Sequence, residues 1–226
     1  MEFNMKVKSN TKLSIFDTFK TKDNSLTGEA LRQRSIIRIL SSKANPAERT
    51  RTGISQKIAK GQGIVWKNIY SGIFRDLDEI LLPMGIAEEH GRLPLKRGPK
   101  ALQEKGIPFY HLTRKGVLIA LSLKEIENKE RLLEGFFSNS DPQEKDFEKI
   151  IIILSKTSPN FTYSIFQKYV KAFCDDKIKD LLPFDLSKLQ SIPDESLGIQ
   201  KEILEGFLKL SKQEKDEALR FINKIA

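Results

Sequence analysis

The sequence predicts a mainly α-helical fold carrying one small antiparallel β-hairpin, and three features point to it. Apolar residues recur with helical steps through most of the 226 residues. Two short stretches rich in β-formers, Ile86–Glu89 and Ile107–Leu112, flank a loop over His90–Gly106. The net charge of +9 is uneven: residues 1–113 hold 20 Lys/Arg against 11 Asp/Glu, whereas residues 114–226 hold 19 of each. A basic half is therefore joined to a neutral one, which suggests a polyanion-binding face on the first.

Residues 1–26 are polar and lack a sustained period, so they read as an arm poorly ordered at its beginning. Leu13, Ile15, Phe16 and Phe19 are able to dock as a short element. Thr27 N-caps the first helix, with Leu31, Ile36, Ile37, Ile39 and Leu40 inward and Arg32, Arg34 and Arg38 wet. After the loop Lys43–Thr52, Gly53-Ile54 is expected to form a short strand. Ser55 would cap a helix over Gln56–Lys60, and Gly61-Gln62-Gly63 would make the turn.

From 65 to 82 the apolar positions Ile69, Ile73, Leu77, Ile80 and Leu81, with Met84 beyond, mark one stripe of a long helix. Lys67, Ser71 and Arg75 lie opposite at i, i+4 and i+8, with Asn68 beside them. Gly72 would let a backbone or a phosphate come close. Pro83 and Gly85 end the helix. The loop that follows the first strand carries Arg92, Lys96, Arg97, Lys100 and Lys105 against the single Glu104, a net of +4. Thr113 N-caps a further helix, extending toward Phe136-Phe137, whose apolar residues exceed one stripe.

Ser138-Asn139-Ser140 is the expected domain boundary, giving an arm over 1–26, a domain over 27–137 and a helical domain over 141–226. Asp141-Pro142-Gln143-Glu144 restarts the chain with a capping box. Helices are expected near 142–156, 161–182, 196–210 and 212–225, with Ile150–Leu154 central to a second core. Phe161, Tyr163, Phe166, Tyr169 and Phe173 read as core aromatics and Cys174 as a small buried residue.

Residues 28–125 resemble the winged helix-turn-helix domain of prokaryotic transcription regulators, of the broad type that includes the MarR- and PadR-like proteins. Two stretches carry the resemblance. LLPMGIAEE (Leu81–Glu89) is similar to the family's helix exit into the wing. FYHLTRKG (Phe109–Gly116) is similar to the Tyr-x-Leu-Thr-x-x-Gly that closes it. The resemblance implies an N-terminal winged helix-turn-helix followed by an all-α C-terminal domain that it does not cover. It implies a DNA-binding transcription regulator whose recognition helix spans about 65–82 and whose basic wing spans about 90–106. Lys67, Asn68, Tyr70, Ser71 and Arg75 would face double-stranded DNA. Arg92, Lys96, Arg97 and Lys100 would ride the wing, and Lys57 and Lys60 would hold the backbone. Asp76, Asp78 and Glu79 depart from this pattern, because they would repel phosphate if they faced it. The competing readings are a non-enzymatic scaffold that uses the same domain on protein, and a replication initiator or RNA-binding factor.

Catalysis finds little support. Two histidines (His90, His111) and one cysteine make no zinc cluster or Cys/His pair, and Gly61-x-Gly63 lacks the Lys-Ser/Thr of a phosphate loop. Asp175, Asp176 and Asp180 read as solvated, and His111 as structural. No enzyme activity and no cofactor are expected. The lack of a signal-like apolar segment, of a membrane span and of a disulfide pair makes the cytoplasm the expected location. A homodimer through the helix after Thr113 or through the C-terminal domain is the expected assembly.

Overall fold

The structure is a computed structural model that describes residues 12–20, 23–63, 65, 67–94, 106–138, 140 and 142–225. The helices are α1 (Gly28–Ser41), α2 (Arg51–Gln62), α3 (Lys67–Arg75), α4 (Arg114–Ser122), α5 (Lys129–Phe137), α6 (Lys145–Thr157), α7 (Pro159–Cys174), α8 (Glu195–Lys209) and α9 (Lys212–Ile225). The hairpin strands are β1 (Ala87–Leu93) and β2 (Ile107–Leu112), paired antiparallel. The fold is thus mainly helical with one small antiparallel sheet among the described residues.

Local chemistry accounts for the first elements. Thr27 caps α1 by accepting from the Ala30 amide at 3.1 Å. The arm docks on this helix: Leu13 and Ile15 are buried, the Ser14 amide donates to Gln33 Oε1, and Arg34 Nε donates to the Ile15 carbonyl. Gln33 is fully buried for that purpose, while Leu31, expected inward, is exposed. Arg32 and Arg34, expected wet, are half-buried in ion pairs to Asp76 and Glu125.

Gly53-Ile54 is helical rather than a strand, and α2 starts at Arg51 instead of Gln56. The cap is Thr50, whose Oγ1 accepts from the Gly53 amide at 3.0 Å, and Ser55 is buried within the helix. A Cβ on Gly53 would meet the Ala47 carbonyl oxygen at 2.2 Å, so this glycine exists for close approach to the turn at Pro46–Arg49. The strand-like pairing falls instead on Thr50, which bridges Phe109 of β2. Gly63, at φ 65, ends α2.

α3 passes into a π-helical segment, Asp76–Leu81, which keeps Leu77, Ile80 and Leu81 buried. Gly85 (φ 64) then reverses the chain into Ile86 and β1. β1 runs to Leu93, further than expected, with a bulge between Glu89 and Gly91, so Arg92 sits in a strand opposite Pro108. The expected loop beyond Pro94, residues 95–105, lies outside the described residues.

The Tyr110–Gly116 stretch closes this region for identifiable reasons. Thr113 Oγ1 caps α4 through the Gly116 amide and donates to the Gly85 carbonyl at 2.6 Å. A Cβ on Gly116 would lie 2.0 Å from the Ile86 carbonyl oxygen, so only glycine allows α4 this close to the chain entering β1. Tyr110 is 1% exposed and packs against Arg51.

α4 stops at Ser122 rather than reaching Phe137. Leu123 and Ile126 are buried in the connecting turn, and Asn128, at φ 55, starts α5. Leu118, Ile119, Ala120 and Leu121 are all fully buried. The excess of apolar residues on α4 is covered within the chain, because α1 and α5 pack on it and α7 lies along it. Among the described residues, none of Arg114–Ser122 is exposed.

The compact unit runs on past Ser138–Ser140 to Leu186, and Ser187–Ala226 forms a second unit. What ties α7 and the Phe184 segment to α5 is an aromatic core of Phe136, Phe137, Phe166, Tyr169 and Phe184. Glu144 is fully buried at its edge. It accepts from the Phe184 amide at 2.6 Å and pairs with Arg114, whose guanidinium also donates to the Phe136 carbonyl and lies over the Phe136 ring. Glu144 thus enters a long-range ion pair, and the expected capping box rests on Asp141, which lies outside the described residues. Ile150–Leu154 is not the core centre: Ile151 is buried, but Ile150 and Ile153 are exposed. α7 ends at Cys174, short of the expected 182, and Asp176 takes φ 58 in the turn after it. Cys174 is buried, and burial pushes its thiol up to about 12. No described helix is long and apolar enough to cross a membrane.

Candidate nucleic-acid interface

α3 is held from behind and open in front. Ile73 and Leu77 are fully buried, whereas Lys67, Asn68, Ser71 and Arg75 are exposed and Tyr70 is half-buried. Lys67, Asn68 and Ser71 have no side-chain hydrogen bond or ion pair among the described residues, and neither does the exposed Lys60 on α2. These four are available to a ligand. Arg75 is held more loosely, 3.8 Å from Glu29 and 3.5 Å from Asp76.

Other expected contacts are engaged. Lys57 pairs with Glu48 at 2.9 Å, and Arg92 makes a two-point pair with Glu89 through Nε and Nη2 at 2.6 and 2.9 Å. A phosphate would have to displace these carboxylates. Lys96, Arg97 and Lys100 lie outside the described residues.

Two of the three acids turn away from the open face. Asp76 is fully buried, 2.8 Å from Arg32 Nε, and Asp78 accepts a two-point bond from Arg51 at 2.6 and 3.1 Å. Only Glu79 is exposed. Gly72 makes room for Arg32 rather than for a phosphate, since a Cβ there would meet Arg32 Nε at 3.0 Å.

Arg51 is the joint of this region, and sequence reading missed it. Besides gripping Asp78, it lies over Phe74 at 5.0 Å and over Tyr110 at 5.1 Å, tying α3 to β2. Burial raises the Tyr110 phenol to about 12. Phe74 was also missed, although its ring is 45% exposed on the open face. Its place between Ser71 and Asp78 in the sequence was the available signal.

On the hairpin, the bulged His90 packs edge-on to Phe109 and to His111, at 5.6 and 4.4 Å between centroids. His111 Nε2 meets Glu88 at 2.9 Å, while its Nδ1 is buried without a partner. Burial, and then the neighbouring His90, lower the His111 pKa against the opposing pull of Glu88. A folded pKa below the unfolded value means the unfolded chain takes the proton first. Stability is therefore full above about 6.5, the unfolded value, and declines as pH falls toward the folded one. Thermal melts from pH 8 to 5 should show Tm falling below about 6.5, and His111→Gln should remove that part of the fall. An unchanged pH profile in the variant would exclude His111 as its source.

Together these features define a helical protein that presents a polar helix face beside a hairpin. No family model, no curated protein and no solved structure matches the chain.

Proposed function

We propose that this chain is a DNA-binding regulator of winged-helix type, in which α2, the Gly63 turn and α3 act as the helix-turn-helix and β1–β2 as the wing. The observation that carries this reading is the unpaired row Lys67, Asn68 and Ser71 on the solvent face of a helix whose opposite face is fully buried. Such a helix enters a major groove with its first turns leading. Asn68 has the donor and acceptor to bond adenine N7 and N6 together on its major-groove edge, and Arg75 suits guanine. The pairing of buried Asp76 with Arg32 and of half-buried Asp78 with Arg51 lessens the electrostatic objection to phosphate approach, leaving Glu79 as the exposed acid. The basic half of the chain supplies the remaining attraction, including Lys96, Arg97 and Lys100 on the expected wing.

The test is titration of labelled genomic duplexes selected by pull-down, with competitor DNA and at several salt concentrations. Affinity should fall by roughly 10³-fold or more between about 50 and 200 mM salt if six or more phosphates are engaged. Lys67→Ala and Arg97→Ala should weaken binding alike on all sequences. Asn68→Ala should cost about 1–3 kcal/mol on the selected site and relax preference at one base. Binding indifferent to salt and to all three substitutions would refute the interface.

A second reading has one observation in its favour: the exposed Phe74 beside these polar groups also suits a protein surface. A scaffold using this face would bind its partner with weak salt dependence and lose affinity with Phe74→Ala.

A further inference from the structure

The unit over residues 187–226 has a packing problem that its own residues do not solve. No described residue in it is buried, and α8 and α9 make little contact with each other beyond the turn at Leu210–Ser211. Yet both helices expose large apolar side chains: Ile199, Ile203, Leu204 and Leu208 on α8, and Leu219, Phe221 and Ile222 on α9. Leu208 is 75% exposed and Phe221 63%.

We infer that α8 and α9 form a homodimer interface, in which the two helices of one protomer pack against the same two helices of a second copy as a four-helix assembly. The inference stands apart from the DNA reading.

Three features select a second copy. The first is helical geometry. Ile199 and Ile203 form one strip on α8, and Leu204 and Leu208 form another roughly 140° around the axis, with the half-buried Phe207 between them. One neighbouring helix covers a single stripe, whereas a helix in a four-helix bundle touches two neighbours and needs an apolar arc of this width. The second is area. The seven residues expose roughly the surface of four complete side chains, on the order of 700 Å² per protomer, near the roughly 800 Å² each partner covers in a standard stable interface. The third is charge. Residues 187–226 carry 7 Lys/Arg and 7 Asp/Glu, so the whole net charge of +9 belongs to residues 1–186. Two copies meeting through residues 187–226 bring together neutral surfaces, while contact through the basic remainder would meet repulsion.

Sedimentation equilibrium of the full chain without DNA tests this. The wild type should run at twice its 25.9 kDa mass at micromolar concentration. Leu204→Glu and Leu208→Glu, each placing a carboxylate in the contact, should weaken self-association on the order of a hundredfold or more. Both sites are exposed in the single chain, so circular dichroism should report a folded protomer. Glu202→Gln, outside the apolar arc, should remain dimeric. A wild type that stays monomeric up to about 100 µM, well above the Kd of a stable standard interface, would overturn the inference. A dimer that survives both charged substitutions would overturn it as well. DNA affinity measured on the monomeric variants is a separate readout, so failure of the DNA reading would leave the mass result intact.

Discussion

Glu144→Ala should lower the unfolding free energy by about 3–5 kcal/mol, a fall in Tm of roughly 10 °C for a chain of this size. Glu144 is fully buried and answers both the Phe184 amide and the guanidinium of Arg114. Removing the carboxylate takes the buried anion away from the Arg114 guanidinium and the acceptor away from the Phe184 amide. Glu144→Gln keeps an oxygen for the amide but loses the charge, so it should recover part of the loss. Differential scanning calorimetry of wild type and both variants checks the order Gln above Ala. If Glu144→Ala melted within about 2 °C of wild type, the pair would be too weak to join α4 to the Phe184 core, given the 2–4 °C expected per kcal/mol.

Arg51→Ala should cost about 2–4 kcal/mol and misplace α3. Its guanidinium forms the two-point bond to Asp78 and covers the rings of Phe74 and Tyr110, so one truncation cuts three ties between α2, α3 and β2. The Arg51 and Asp78 side chains are 25% and 18% exposed, so water screens the ion pair in part and the ring contacts carry a comparable share. A double-mutant cycle with Asp78→Ala, read by urea unfolding, should give a coupling of roughly 1–2 kcal/mol. Under the proposed function, Arg51→Ala should also weaken DNA binding without touching DNA, because α3 would no longer be held against the hairpin. A coupling near zero would separate Asp78 from Arg51 and return the acid to the open face.

Much of this fold was legible along the chain because its causes are local. Thr27 and Thr113 cap helices through their own neighbours, Gly63 and Gly85 take positive φ, and the stripe Ile73, Leu77 and Ile80 is buried as its spacing implies. The exposure of Lys67, Asn68, Ser71 and Arg75 followed from the same period. Where a side chain had two local options, the reading failed. Gly53-Ile54 reads as a strand along the chain because close approach to residues 46–49 is invisible in a linear pattern. Glu144 reads locally as a cap residue, and only the fold shows that it also joins Arg114 and Phe184, 30 and 40 residues away.

The helical character, the hairpin, the split of charge and the polar row on α3 are written in the chain itself, since each depends on composition or on periods of a few residues. Tertiary structure alone decided which charges remain free. Arg51, Arg32 and Asp76 look like surface residues in the sequence and are pinned within the fold. It also decided that α4 is enclosed by α1, α5 and α7, while α8 and α9 keep their apolar surface open. The physical reason is that burial and ion pairing are relations between distant parts of the chain, and each depends on what the fold brings to within a few ångströms.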